Sequence, residues 1–408
     1  MEFAKRLQPL QANVFADMDQ AKARARRAGQ EIIDLSLGSS DLPTAAHVLT
    51  AIAQSLPDPS THGYLLFHGT QAFRQAVAQW YTHKFGVAVN PETEVLPLVG
   101  SQEGTAHLPL AILNPGDFAL LQDPGYPSHA GGVYLASGQI YPMPLLAENH
   151  FLPVFADIPA PVLAQAKMMV LSYPHNPTTA TAPRSFFAEA VAFCQRHNLV
   201  LVHDFPYCDL VFPTAPHQVG SELSPALAPT AQELAPSVLQ ADPAKTVSIE
   251  FFTLSKSYNM GGFRVGYAIG NAELIRALRQ VKAAIDFNQY RGILNGAIAA
   301  LTGPQAGVQH VVETFQQRRD AFVQALHRHG WQVPLPNATM YIWAKLPDRW
   351  AQNSIGFCQH LVEQTGVAVS PGAGFGKSGE GYVRFALVHP PEVLETAVDR
   401  IHAFLAHS

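Results

Sequence analysis

The feature that most restricts this chain is an alternation that runs from about residue 95 to residue 270. Short apolar runs of strand length are separated by longer segments in which apolar residues recur with helical period. Parallel strands need long crossover connections, so this is the pattern of a mostly parallel sheet covered by helices. The strands fall near 95–99, 118–122, 167–172, 199–203, 247–253 and 265–269. Several show no polar alternation, as strands buried on both faces should. Helices fit 102–113, 184–197 and 272–285, the first ending at the stop signal Asn114-Pro115-Gly116.

Beyond about residue 305 the pattern changes to a long helix (309–329), a strand (340–345), a helix (355–363), a strand (382–387) and a closing helix, which reads as a second, α+β unit. The stretch at about 213–245 is rich in Pro, Ala, Ser and Gln and reads as a surface excursion or insertion.

Charge and cysteine content exclude some functions. Lys and Arg number 26 against 31 Asp and Glu, a net charge of -5, which is the wrong sign for a partner of nucleic acid. Three cysteines without C-x-x-C spacing suit neither a disulfide framework nor a structural zinc site, and fit a reducing cytoplasm. No apolar run approaches the roughly 18 residues of a membrane span. Residues 1–30 carry Glu2, Asp17, Asp19 and a basic cluster, so they do not read as a secretory signal.

Chemistry-bearing residues follow the strands in turn. Lys256, one of nine lysines, follows the apolar run Phe251-Phe252-Thr253-Leu254-Ser255. A lysine at the mouth of a buried strand is costly unless it has a task, and Schiff-base formation is the commonest one. The plainer account is a lysine reaching solvent from a strand end. Arg264, within Gly261-Gly262-Phe263-Arg264-Val265-Gly266, offers a forked donor beside Ser255, a set able to hold a phosphate.

Asp204 and Tyr207 stand after 199–203, at the carboxyl end of a strand, where α/β proteins place ligands. Alone, the aspartate would read as a helix N-cap. Asn176 lies in the proline-stiffened Tyr173-Pro174-His175-Asn176-Pro177, and Tyr126 in the turn Asp123-Pro124-Gly125-Tyr126. Gly100-Ser101-Gln102 opens a helix, where free amides favour an anion. The glycine-rich 371–378 lacks the P-loop spacing, and the 18 histidines, His107, His129 and His175 among them, show no metal-ligand spacing. No metal is expected, and most histidines read as surface or packing residues.

Together these residues resemble the class I/II aminotransferases of the fold-type I pyridoxal phosphate enzymes, the aspartate aminotransferase superfamily, over about 35–387. The pattern S-K-x-x-x-x-x-G-x-R-x-G from Ser255 to Gly266, and Asn176-Pro177 standing 28 residues before Asp204, carry the resemblance. It implies an α/β fold: a mostly parallel, seven-stranded sheet sandwiched by helices in a large pyridoxal phosphate-binding domain, with a smaller α+β domain built from both chain ends. The corresponding division is 1–45 (arm and part of the small domain), 46–300 (large domain) and 301–408 (small domain).

The resemblance further implies that Lys256 forms the Schiff base with pyridoxal 5'-phosphate and then moves the substrate proton. Asp204 would keep the pyridine nitrogen protonated, Asn176 and Tyr207 would face the phenolic oxygen, and Tyr126 would stack on the ring. Ser101, Gln102, Ser255 and Arg264 match the phosphate cradle, with Tyr64 reaching in from a neighbouring subunit of a homodimer. Arg384 in Gly381-Tyr382-Val383-Arg384 matches the group that binds the substrate carboxylate, beside Gly38 and Asn176. A cis bond before Pro177 is also implied.

The activity so implied moves an amino group from an L-amino acid, aspartate-like or LL-diaminopimelate-like, to a 2-oxo acid such as 2-oxoglutarate. Two rivals keep the cofactor: a carbon-sulfur β-lyase, and a non-catalytic sensor that only binds it. A third is an α/β nucleotide-binding protein without this cofactor.

Overall fold

The computed structural model describes residues 3–10, 14–212 and 230–407. Its strands, in chain order, are β1 (Ile33–Asp34), β2 (Val95–Leu98), β3 (Phe118–Asp123), β4 (Gln139–Pro144), β5 (Ala166–Leu171) and β6 (Val200–Asp204). There follow β7 (Ser248–Thr253), β8 (Gly266–Gly270), β9 (Tyr341–Lys345), β10 (Val367–Ala368), β11 (Ser370–Pro371) and β12 (Tyr382–Ala386).

Seven of them form one sheet in the order β2-β8-β7-β6-β5-β3-β4. Neighbours from β7 across to β4 are parallel, while β8 runs antiparallel to both β7 and β2. Successive residues of the central strands enter opposite cores, as the period of a pleated strand requires. Leu121, Val202 and Phe251 face the helices Ser101–Ile112, Pro127–Leu135 and Ala272–Ile285. Their neighbours Leu120, Leu201 and Phe252 face Gln71–Phe85, Arg184–His197 and Arg291–Thr302. Each such side chain withdrawn from water contributes roughly 1.5–3 kcal/mol.

Strand β4 is absent from the sequence expectation, and its two prolines explain why. Pro142 and Pro144 interrupt an apolar run, but β4 is the sheet's edge and bonds only to β3, so the missing N–H groups cost no ladder on its outer side.

A separate apolar cluster joins the two ends of the chain. Met18, Ala21 and Ala25 of the helix Val14–Arg27 pack with residues of Ala306–Arg328, Ser354–Thr365 and Pro391–His407 around the antiparallel sheet β11-β12-β9. The short parallel pair β1-β10 ties Ile33 to Val367 in the same cluster.

The expected insertion at 213–245 needs correction. Residues 213–229 lie outside the described residues, but Leu234, Ala235, Val238 and Leu239 beyond them are buried in the main core. Ser237 caps the turn Val238–Gln240, and its hydroxyl donates to Glu250 at 2.9 Å, so tertiary packing overrides a loop-like composition.

Candidate active site

The carboxyl ends of β2, β3, β5, β6 and β7 open on one cavity of about 1070 Å³. Because β8 runs the other way, the residue that leads into it comes to the same edge, which brings Arg264 beside Ser255. Of the twelve residues singled out in the sequence, eleven line this cavity: Gly38, Ser101, Gln102, Tyr126, Asn176, Asp204, Tyr207, Ser255, Lys256, Arg264 and Arg384. Tyr64 does not; it is 93% exposed on the outer surface, 6.4 Å from the ring of Phe287.

Asp204 ends β6 and is buried. Its Oδ2 accepts from His129 Nε2 at 3.0 Å, while its Oδ1 is buried with no hydrogen-bond partner among the described residues. Most of the histidines read from the sequence as surface or packing residues, but the place of His129 in the helix Pro127–Leu135 sets it against the carboxylate. Nothing near position 129 signals a partner 75 residues away. His175 does behave as packing: burial, and secondarily the charge of His129, holds its pKa at about 3, so it stays neutral.

On the anion side, Gly100 caps the helix Ser101–Ile112 with φ +78, a conformation that favours glycine. Any Cβ there would meet the Arg264 guanidinium at 2.5 Å. The first amides of a twelve-residue helix, the Ser255 hydroxyl and this arginine thus converge on one corner of the cavity.

Lys256 Nζ donates to the carbonyl of Gly38 at 2.6 Å. Tyr207 and Tyr341 share a hydrogen bond of 2.9 Å between their hydroxyls. Burial raises the Tyr207 pKa, whereas for Tyr341 the charges of Lys256 and Arg384 outweigh burial and lower it. Tyr341 was not singled out in the sequence, because β9 reads there as an ordinary core strand.

Arg384 is buried on β12 and held before any ligand arrives. Its guanidinium donates to Asn176 Oδ1 at 2.8 Å, to the carbonyl of Ser36 at 2.8 Å and to Ser370 Oγ at 3.2 Å. Its Nε is buried without a partner among the described residues. Asn176 is followed by the expected cis bond, one of three cis X-Pro bonds among the described residues, with Asp123-Pro124 and Tyr173-Pro174.

Among the described residues, one group has metal-ligand types within reach of each other: Glu103, His107 and Asp286. The Lys282 ammonium already bonds both Glu103 oxygens, at 2.8 and 3.0 Å, and Asp286 at 3.3 Å. The cluster therefore reads as an ion pair tying Ser101–Ile112 to Ala272–Ile285.

The sequence model of aminotransferase class I and II matches residues 30–401. The chain belongs to this family. The aminotransferase is 42% identical to the LL-diaminopimelate aminotransferase of Dehalococcoides mccartyi, over 99% of each chain. Its structure superposes with a TM-score of 0.90 on substrate-bound BacF of Bacillus subtilis, at 34% identity over 99% of this chain and 98% of that one. It also matches a probable N-succinyldiaminopimelate aminotransferase of Thermus thermophilus, with a TM-score of 0.87 and 40% identity over 96% and 99% of the two chains.

The protein is thus a transaminase that uses pyridoxal 5'-phosphate and acts on amino and oxo acids. The cavity of this aminotransferase suits that cofactor. The unpartnered Asp204 oxygen matches a protonated ring nitrogen, and the amide, hydroxyl and guanidinium corner matches a phosphate. No helix among the described residues is long and apolar enough to cross a membrane.

Proposed function

We propose that the amino donor is LL-diaminopimelate and the acceptor 2-oxoglutarate. What supports the donor is the 42% identity to an LL-diaminopimelate aminotransferase over 99% of each chain, together with a cavity whose lining includes a further lysine, Lys377, besides Arg384. Diaminopimelate carries a carboxylate at each end. Arg384 takes the one beside the reacting carbon, and Lys377, exposed on the cavity wall, takes the other.

When bound, the cofactor supplies an electron sink for the bond broken at the substrate's Cα. In our reading Lys256 Nζ would hold the cofactor's aldehyde and would also move the proton to and from the substrate's Cα. Asp204 Oδ1 holds the ring nitrogen's proton while His129 fixes the other oxygen. Tyr207 and Asn176 face the phenolic oxygen, Tyr126 covers the ring, and Ser101, Gln102, Ser255 and Arg264 hold the phosphate. Asn176 with Gly38 completes the carboxylate site at Arg384.

We further place the protein in the cytoplasm as a homodimer, with Tyr64 reaching the phosphate of the partner subunit. Its exposure outside its own chain's cavity supports that role. What supports the division at 46–300 is the set of apolar clusters, two built on the large sheet and a third mainly on both chain ends, with Tyr207, Leu210 and Phe212 reaching into the third.

A half-reaction screen tests the proposal. Purified, cofactor-loaded protein is mixed with LL-diaminopimelate, N-succinyl-LL-diaminopimelate, L-aspartate or L-alanine without an acceptor, and the visible band is followed. Fast bleaching by LL-diaminopimelate, reversed by 2-oxoglutarate, is expected. Faster bleaching by another donor overturns the substrate assignment. Pyruvate released from cystathionine without a keto acid would favour the β-lyase, and a band that no donor bleaches would favour the sensor.

A further inference from the structure

Tyr341 touches each part of the centre that has to be aligned. It opens β9 and is 2% exposed. Its hydroxyl lies 2.9 Å from that of Tyr207. Its ring lies beneath the guanidinium of Arg384, whose central carbon is 4.3 Å from the ring centroid. The hydroxyl also fills the space over Gly38: a Cβ at residue 38 would stand 1.9 Å from it. Gly38 in turn gives its carbonyl to Lys256. One phenol is therefore wedged between the backbone that receives the lysine, the tyrosine beyond β6 and the arginine of β12.

We propose that Tyr341 is a positioning residue of the aminotransferase centre, its hydroxyl orienting the O–H of Tyr207 and its ring seating the guanidinium of Arg384. This rests on the reading that Tyr207 faces the cofactor's phenolic oxygen and Arg384 the substrate carboxylate. A phenol carries one proton and can also accept one. When an oxyanion accepts the hydrogen bond from the Tyr207 O–H, the arrangement that satisfies both hydroxyls has Tyr341 donating to the Tyr207 oxygen. Hydrogen bonds in such a chain strengthen one another in a dry site, so Tyr341 makes Tyr207 the better donor. The charged and titratable groups around the pair are Lys256, Arg384 and Tyr126.

The ring and the hydroxyl can be separated by mutation. Tyr341→Phe keeps the ring under Arg384 and removes only the hydroxyl. In the cofactor-loaded enzyme, the pH at which the visible band changes form should rise by roughly 0.2 to 0.6 unit, since the phenolic oxygen loses part of its stabilisation. kcat should fall while KM for the amino acid moves less than about twofold. Tyr341→Leu removes the ring as well and should add a rise in KM. Placed on a Tyr207→Phe background, Tyr341→Phe should no longer move the titration, because its only route is gone.

A titration that coincides with wild type, or a shift that persists without the Tyr207 hydroxyl, overturns the proposal. An unmodified protein that shows no visible band with added pyridoxal phosphate would overturn the cofactor assignment first, and this inference with it. That outcome is read on the wild type alone, so the two failures are distinct.

Discussion

Asp204 gives its two carboxylate oxygens different surroundings: Oδ2 accepts from His129 Nε2 at 3.0 Å, while Oδ1 is buried and unpartnered among the described residues. A buried acceptor without a donor costs about 1–3 kcal/mol, so the site is built to receive one. Asp204→Asn presents an amide that cannot hold the proton of a ring nitrogen as a carboxylate does. Turnover is expected to fall by about 10²- to 10⁴-fold. Cofactor uptake should survive, because the phosphate corner is separate. His129→Phe frees the carboxylate to rotate and should cost about 10- to 100-fold, the usual effect of losing a group that orients a ligand. Steady-state rates with a cofactor titration check both, and an Asn variant with wild-type kcat would remove Asp204 from this role.

Arg384 is oriented by three acceptors before substrate arrives. Arg384→Ala should raise KM for every amino acid, by an amount equivalent to ~2–5 kcal/mol if the substrate carboxylate is left buried and unpaired. Arg384→Lys keeps the charge but loses the planar fork, and should recover only part of the affinity. Substrate saturation curves for the two variants decide it, and an unchanged KM in the alanine variant would exclude Arg384 from the carboxylate site.

What the sequence made legible is the part written locally. The apolar runs at 118–122, 199–203 and 247–253 fall on strands to within a residue at each end, and the expected helices at 184–197 and 272–285 are found at those bounds. Chemistry placed after such strands falls on one edge, so the grouping of Asn176, Asp204 and Lys256 could be read from their order. Residues whose meaning depends on a distant partner could not be read in this way. His129 reads as one of many histidines until β6 delivers Asp204, and Tyr341 as core until the segment after β1 brings Gly38 against it. Val238 and Leu239 sit in loop-like composition and are buried by packing against β7 and the helix Arg184–His197, partners distant in the chain or unmarked in the local sequence.

Lys377 is a cation on the cavity wall that the sequence reading matches to no second carboxylate. Its loop is pinned: Gly125 N–H donates to the carbonyl of Phe375 at 2.8 Å, and the Ser378 hydroxyl donates to Asp123 at 3.0 Å. Lys377→Gln should raise KM for diaminopimelate by up to about fivefold, the range of an exposed charge pair. L-alanine, which has no second carboxylate, should be unaffected. The ratio of the two KM changes is the measurement, and an equal effect on both donors would make Lys377 a bystander.

Asp209, two residues past Tyr207, is half-buried and paired with Lys84, and the Ser257 hydroxyl next to Lys256 also supports its charge. Burial alone would raise its pKa, but Lys84 outweighs burial and holds it below the ordinary 3.8. A depressed carboxylate contributes stability that is fully present above its unfolded value and is lost as the pH falls through the folded one. Lys84, raised above 10.5 by the same partner despite burial, contributes stability that is lost only as the pH climbs past that range. Asp209→Asn removes the carboxylate charge that pairs with the ammonium, which should cost about 1–3 kcal/mol at neutral pH. The gap between wild type and variant should stay level from pH 5 to 8 and narrow as the pH drops below about 4, where the wild type begins to lose its carboxylate. Urea unfolding of both proteins across that range gives the gap directly. A gap that holds constant or widens toward pH 3 would show that the Asp209 charge does not contribute to folding.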